Sequence, residues 1–135
     1  MTAAQRVAFA ALADVLLPAV DGLPSPSAVG VGGRWLDLAL AARADLTATL
    51  AAVLDAAQDR DPAAEARRLH EQEPAAFAVL GLLASGAYYM HPRVRKAIGY
   101  PGQRADPAAD DEADWFLRDG LLDPVVARGP IWREA

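Results

Sequence analysis

Residues 74–90 read PAAFAVLGLLASGAYYM, the longest stretch of the chain without a charged side chain. Alanine and leucine, both strong helix formers, dominate it. Proline stands at its head, where a helix tolerates it because the missing N–H has no partner there. Apolar side chains fall on nearly every side of a 3.6-residue spiral, the pattern of a helix surrounded by others. The run is shorter than the about 20 residues that span a membrane, and it contains Gly81, Ser85 and Gly86. These features predict the central helix of a bundle.

Working outward towards the N-terminus, Glu73-Pro74 and Asp61-Pro62 each pair a polar residue with a proline, the boundary signal of a helix start. The helix opened by Pro62, PAAEARRLHEQE, is polar and is expected to be exposed over most of its surface. Asp45 is placed to cap DLTATLAAVLDAAQD, in which Leu46, Leu50, Val53 and Leu54 recur at helical spacing. Arg34–Ala42 is expected to be helical with Trp35 and Leu38 facing inward and Leu36 a further candidate. Residues 18–33, PAVDGLPSPSAVGVGG, hold three prolines and four glycines and read as a loop. Val20, Leu23, Val29 and Val31 are expected to pin that loop to the core. The first helix runs from about Thr2, a possible N-cap, to Leu17. Its stripe is Phe9, Leu12, Val15 and Leu16, and Pro18 ends it.

Towards the C-terminus the pattern breaks up. Val94–Ile98 predicts a short turn of helix and Tyr100-Pro101-Gly102 a turn. Asp106-Pro107 opens a short helix through Ala113 and Trp115. The closing DGLLDPVVARGPIWREA is interrupted by Gly120, Pro124, Gly129 and Pro130 and cannot be one continuous helix. The reading is an all-α fold: a small irregular bundle of about five or six helices with a long Pro/Gly-rich loop and an extended tail. It forms one domain over residues 1–135, in which residues 106–135 are a partly extended tail packed on a partner.

Composition agrees. At 135 residues the chain has the size of one domain. Over half the residues are apolar, and isoleucine and threonine, which strands favour, are scarce. The absence of cysteine removes disulfides, thiolate metal sites and cysteine nucleophiles. A net charge of −5 argues against a nucleic-acid partner. The N-terminal helix has an apolar run behind Arg6, but Asp14 interrupts it and no twin-arginine pair stands there. It is read as structure rather than as an export signal, and the expected location is cytoplasmic.

Few residues carry recognisable chemistry. His70 and His91 are the only histidines, and no three-ligand metal cluster is apparent. Ser25, Ser27 and Ser85 lack a nucleophile-elbow context. Gly30-Val31-Gly32-Gly33 follows no strand and lacks the lysine of a phosphate loop. The acids Asp110, Asp111, Glu112 and Asp114 have the character of a solvated helix start. No catalytic residue, metal ligand or cofactor-binding residue is assigned to this chain.

Residues 87–103, AYYMHPRVRKAIGYPGQ, are different. They hold all three tyrosines, one of the two histidines and the only lysine, and no Asp or Glu occurs from residue 74 to residue 105. Tyrosine and arginine are enriched at the centres of protein interfaces. The alternative is a helix end whose tyrosines cap the core with wet hydroxyls. In the tail, Leu121, Leu122, Val125, Val126, Ile131 and Trp132 are apolar, yet the segment is too broken to form its own core. A buried tryptophan removes roughly 150–250 Å² of surface, several kcal/mol at about 25 cal/mol per Å². The tail therefore packs back onto the domain or docks on a partner. The candidate partner-interface residues are Tyr88, Tyr89, His91, Arg93, Tyr100, Pro101, Arg128, Ile131 and Trp132.

Several short motifs resemble the gluconate 2-dehydrogenase subunit 3 family. They are Ala13-Asp14-Val15-Leu16-Leu17-Pro18, then Asp21-Gly22 with Pro24 and Ser27, Tyr88-Tyr89 ahead of Pro92, and Ile98-Gly99-Tyr100-Pro101-Gly102. Leu122-Asp123-Pro124-Val125 and Arg128-Gly129-Pro130 resemble small-subunit tails of the same group. The resemblance implies a non-catalytic accessory subunit that stabilises a flavin-dependent large subunit of the glucose–methanol–choline type. That partner would act on an alcohol or sugar-like substrate and hold the FAD. Many members begin with a twin-arginine signal that this chain lacks, which favours a cytoplasmic two-component oxidoreductase. Two other readings stand beside it: a self-contained helical adaptor or homo-oligomer without a redox role, and a small enzyme using His91 with Tyr88 or Tyr89 as acid and base.

Overall fold

The computed structural model of the chain describes residues 1–103 and 118–129. Two compact units divide at Gly102, residues 1–102 and 103–135. The first is an all-α bundle of six helices: α1 (Ala3–Leu16), α2 (Leu36–Ala42), α3 (Thr47–Ala57), α4 (Pro62–Gln72), α5 (Pro74–Tyr89) and α6 (Pro92–Ala97). Short 3₁₀ turns at Ser27–Val29 and Ala44–Leu46 and a π-type turn at Val31–Trp35 fill the connections. No strand occurs among the described residues. None of their helices is long and apolar enough to cross a membrane.

As its composition predicts, α5 is the hub and packs against α1, α2, α3, α4 and α6. The core interleaves Phe9 and Leu12 of α1, Leu36 of α2, Leu50 and Leu54 of α3, Leu69 of α4, Leu80 and Leu83 of α5 and Val94 of α6, all essentially inaccessible to water. Each such side chain contributes roughly 1.5–3 kcal/mol relative to an exposed one. Yet α5 is not enclosed all round. Ala75, Ala78, Leu82, Gly86 and Tyr89 form one exposed stripe along it. Uniform apolarity carries no phase, so sequence alone does not reveal which face stays open.

The helix starts follow the capping signals unevenly. Thr2 caps α1 in a full capping box: its hydroxyl accepts from Gln5 N–H while the Gln5 side chain accepts from Thr2 N–H. Asp61 accepts from Ala64 N–H at 2.8 Å ahead of Pro62. Asp45 does not cap α3. It lies in the 3₁₀ turn and pairs with Arg43 at 2.7 Å, and α3 begins at Thr47 without a side-chain cap.

The Pro/Gly-rich segment differs most from expectation. Val29 and Val31 are buried as predicted, but Val20 faces water, and residues 27–35 are wound into helical turns rather than open loop. Polar side chains from elsewhere in the bundle hold them. Arg6 donates to the carbonyls of Gly32 and Gly33 at 2.8 and 3.2 Å and pairs with Asp37. Asp14 accepts from Ser27 N–H at 2.8 Å. A Cβ on Gly32 would lie 2.5 Å from the Arg6 carbonyl oxygen, so only glycine lets the two backbones approach. The backbone kinks at Gly33, inside the π-type turn and ahead of α2. Leu36 is buried, Trp35 half-buried, and Leu38, expected inside, is exposed.

Helix α4 is polar yet not merely a solvated rod. Glu65 is 3 % exposed. It accepts from Arg68 at 2.7 and 3.0 Å and from Arg60 at 2.9 Å. The hydrogen bond from Arg68, followed by that from Arg60, holds its carboxyl below the usual carboxylate range against the opposing effect of burial. His70, exposed as expected, sets its ring edge-on to Phe77 with centroids 5.0 Å apart.

In the second unit, Asp123–Arg128 forms a short helix, α7, with Pro124 in its first turn and Gly129 as its C-cap. This short helix lies within the stretch read as a partly extended tail. The predicted helix from Asp106 to Trp115, and the tail residues Ile131 and Trp132, lie outside the described residues.

Candidate partner interface

The last turn of α5 and the whole of α6 carry the residues singled out in the sequence. Their surroundings sort them into two groups.

Tyr88 belongs to the interior. It is 2 % exposed, and its hydroxyl donates to the Pro24 carbonyl oxygen at 2.6 Å across 64 residues of sequence. Burial, and secondarily the neighbouring Tyr89, pushes its phenol above the ordinary value. The sequence reading places Tyr88 at an interface, but its ring has no surface to offer. It anchors the Pro/Gly-rich segment instead. Tyr89 points the other way. It is 45 % exposed and meets Tyr88 edge-to-face at 5.2 Å.

His91 has a structural task. Its Nδ1 accepts from Arg93 N–H at 3.1 Å and so caps α6, which begins at Pro92 rather than Val94. The imidazole also stands edge-on to Trp35 with centroids 5.2 Å apart, and the Arg34 guanidinium lies 5.4 Å from that indole ring. Two of the groups invoked by the acid–base reading, the Tyr88 hydroxyl and His91 Nδ1, are thus committed to backbone atoms.

Beyond α6 the chain turns sharply. Gly99 adopts φ 69°, a conformation that glycine reaches without cost. Gly99 N–H donates to the Lys96 carbonyl and Tyr100 N–H to the Arg95 carbonyl, at 3.1 and 2.8 Å. This is a Schellman ending, which brings the residue after the glycine back over the last helical turn. Here it lays Tyr100 against Arg95, whose guanidinium carbon is 5.2 Å from the ring centroid. The chain closes on Arg95 from a second direction, because a Cβ on Gly102 would lie 2.5 Å from its NH2 nitrogen. Pro92, Arg95, Lys96, Gly99, Tyr100 and Pro101 line a shallow depression of about 380 Å³. A second groove, of about 320 Å³, lies where α1 meets the connection between α3 and α4. Alanines from α1 and α3 line one side of it and Gln58, Asp59 and Arg60 another, and it draws in none of the sequence-predicted site residues.

Carboxylate pairing is uneven across the bundle. Arg6, Arg43, Arg60 and Arg68 each hold a carboxylate. Among the described residues, Arg93, Arg95 and Lys96 have no carboxylate partner, and Arg34 and Arg67 are also without one. Tyr100 and Pro101 are exposed, as is Arg93. The structure therefore brings Tyr89, Arg93, Tyr100 and Pro101 to the surface of one region, with Tyr88 beneath it. Arg128 is exposed in the last turn of α7 and is described within its own unit only. Arg95 and Lys96 are absent from the sequence-derived site list. The arginine, four residues ahead of Gly99-Tyr100, occupies the position that such a helix ending brings under the following side chain, so the signal was present.

Comparison with protein-family models, with curated proteins and with solved structures finds no match for this chain.

Proposed function

We propose that this chain is a non-catalytic accessory subunit that binds and stabilises a flavin-dependent oxidoreductase of the glucose–methanol–choline type. The observation that carries the binding role is the exposed surface of α6 and the turn after it, in a stretch of sequence without acids. There, exposed tyrosines and three cations without carboxylate partners stand together, the residue types that anchor protein interfaces. The flavoprotein identity is supported by the resemblance of Gly99-Tyr100-Pro101-Gly102, which forms a fixed and largely exposed turn at that surface. FAD and the oxidation of an alcohol or sugar-like substrate then belong to the partner, in a cytoplasmic two-component enzyme.

Co-expression with a flavoprotein encoded beside this chain tests the reading. A yellow protein should co-purify through a tag on this chain, and Tyr100→Ala should weaken its retention. A flavoprotein that is fully stable and active alone, and never retained, would overturn the proposal.

The exposed apolar stripe Ala75, Ala78, Leu82, Gly86 and Tyr89 on α5 favours a second reading, self-association. Light scattering across a concentration series separates the two: a dimer disrupted by Leu82→Glu would support the homo-oligomer.

A further inference from the structure

The surface around α6 is built to receive carboxylates, and its chemistry narrows what the partner must present. We infer that the occupant is a protein segment carrying two or more carboxylates beside an apolar side chain, and that Arg95 is the residue it grips. The inference rests on the accessory-subunit reading for the identity of the partner, but not for the chemistry of the surface.

Three observations carry it. First, the cations are uncompensated. In a chain of net charge −5, Arg93, Arg95 and Lys96 fall within four residues of one short helix and, among the described residues, have no carboxylate partner. Second, the Arg95 side chain already lies against its own chain. The Tyr100 ring lies against its guanidinium and the Gly102 backbone approaches its NH2 nitrogen. A planar guanidinium whose range is narrowed by such neighbours loses less freedom when it binds a carboxylate with two parallel hydrogen bonds. Third, the depression beside it is walled by Pro92, Gly99, Tyr100 and Pro101 as well as by the charges. An apolar side chain fits such a wall, with the carboxylates on its cationic rim.

A phosphate-rich occupant suits the surface less well. Nucleic-acid binding draws on about six to ten phosphate contacts, and α6 supplies three cations on an otherwise acidic chain. An anionic membrane would meet the same excess of negative charge. A protein segment of high local acidity needs only the few, fixed contacts available.

The test uses the whole chain, ¹⁵N-labelled, in low salt. The probes are the blocked peptide Leu-Glu-Glu-Leu-Glu and its counterpart Leu-Lys-Lys-Leu-Lys. The acidic peptide should shift the amides of residues 93–102, and the lysine peptide should not. The double variant Arg95→Gln, Lys96→Gln should weaken binding by about tenfold, and raising the salt should do the same. No shift at these amides, shifts unaffected by the double variant, or co-sedimentation of the chain with phosphatidylglycerol vesicles but not with phosphatidylcholine would overturn the inference. Acidic-peptide binding at α6 without retention of a flavoprotein would leave the surface standing and remove the flavoprotein. A retained flavoprotein indifferent to Arg95→Gln and to salt would do the reverse.

Discussion

Replacing Tyr88 by phenylalanine removes one oxygen and leaves the packing alone, so its effect isolates the anchor on the Pro/Gly-rich segment. The lost bond is short, 2.6 Å from the hydroxyl to the Pro24 carbonyl. A hydrogen bond of this kind contributes about 1 kcal/mol net. Pro24 is only half-buried, so water partly replaces the donor and the full cost of a stranded carbonyl is not incurred. The expected loss is about 1–1.5 kcal/mol, or roughly 4–6 °C in Tm for a unit near 100 residues. Differential scanning calorimetry reads the shift, and limited proteolysis between Pro18 and Pro26 reads the loosened segment. There is a second signature at alkaline pH. The folded phenol titrates above the ordinary value of 10.0, so the unfolded chain loses its proton first. The stability held by Tyr88 is complete below that value and is lost as pH rises through the folded pKa. Tyr88→Phe should flatten that alkaline decline. A Tm within 1 °C of the parent, with unchanged cleavage and the same alkaline slope, would refute the anchor.

Other expectations follow from single contacts. Glu65→Gln should cost about 1–2 kcal/mol, less than a fully buried pair because Arg60 and Arg68 keep part of their surface in water. Since the folded carboxyl titrates below the ordinary 4.5, the parent should lose this stability as pH falls below that value through the folded pKa, and the variant should not. Both are read by urea titration at several pH values. Gly32→Ala drives a methyl into the Arg6 carbonyl and should destabilise by about 1–3 kcal/mol, measured as a lower urea midpoint. Gly86→Ala meets nothing within 4 Å on an exposed helical turn, and should stabilise by about 0.5–1 kcal/mol, visible as a higher Tm.

The parts of this fold that were legible are the parts decided locally. Asp61-Pro62 and Thr2 announce helix starts because a cap needs only a side chain and the N–H groups two or three residues on. Leu50, Val53 and Leu54, the core residues of α3, announce themselves by spacing. What escaped was decided at a distance. The 18–33 segment has loop composition, yet residues 27–35 wind into helical turns, with Arg6 and Asp14 of α1 supplying polar partners to them and Tyr88 to Pro24 ahead of them. Glu65 reads as a surface acid on a polar helix and is buried, because Arg60 and Arg68 converge on it. Leu38, expected inside, is exposed while Leu36, the further candidate, is buried, because three large apolar residues within four positions do not say by type alone which of them meets the bundle. At the candidate interface, residue type found the region, but type could not separate Tyr88 from Tyr89. Adjacent residues on a helix point about 100° apart, and only the packing of α5 says which of the two meets the loop.

That division of the two tyrosines links the fold to the proposed role. The end of α5 is a corner where a buried ring, a histidine cap and a glycine turn all act on one short helix. Tyr88 ties α5 to Pro24, His91 closes the start of α6, and Gly99 closes its end. Six residues in isolation would not hold a helix, because nucleation costs more than one turn returns. α6 exists because it is clamped at both ends and buries Val94. Its outward face is left with cations that the bundle does not neutralise. A helix that depends so heavily on its clamps has little tolerance for substitution, and Arg95 and Lys96 in its last turn suit the negative end of its dipole while their charge has no carboxylate partner among the described residues. Fixed geometry beneath uncompensated charge is the arrangement by which a small domain offers a partner a preformed contact, since the ordering cost has been met before association begins.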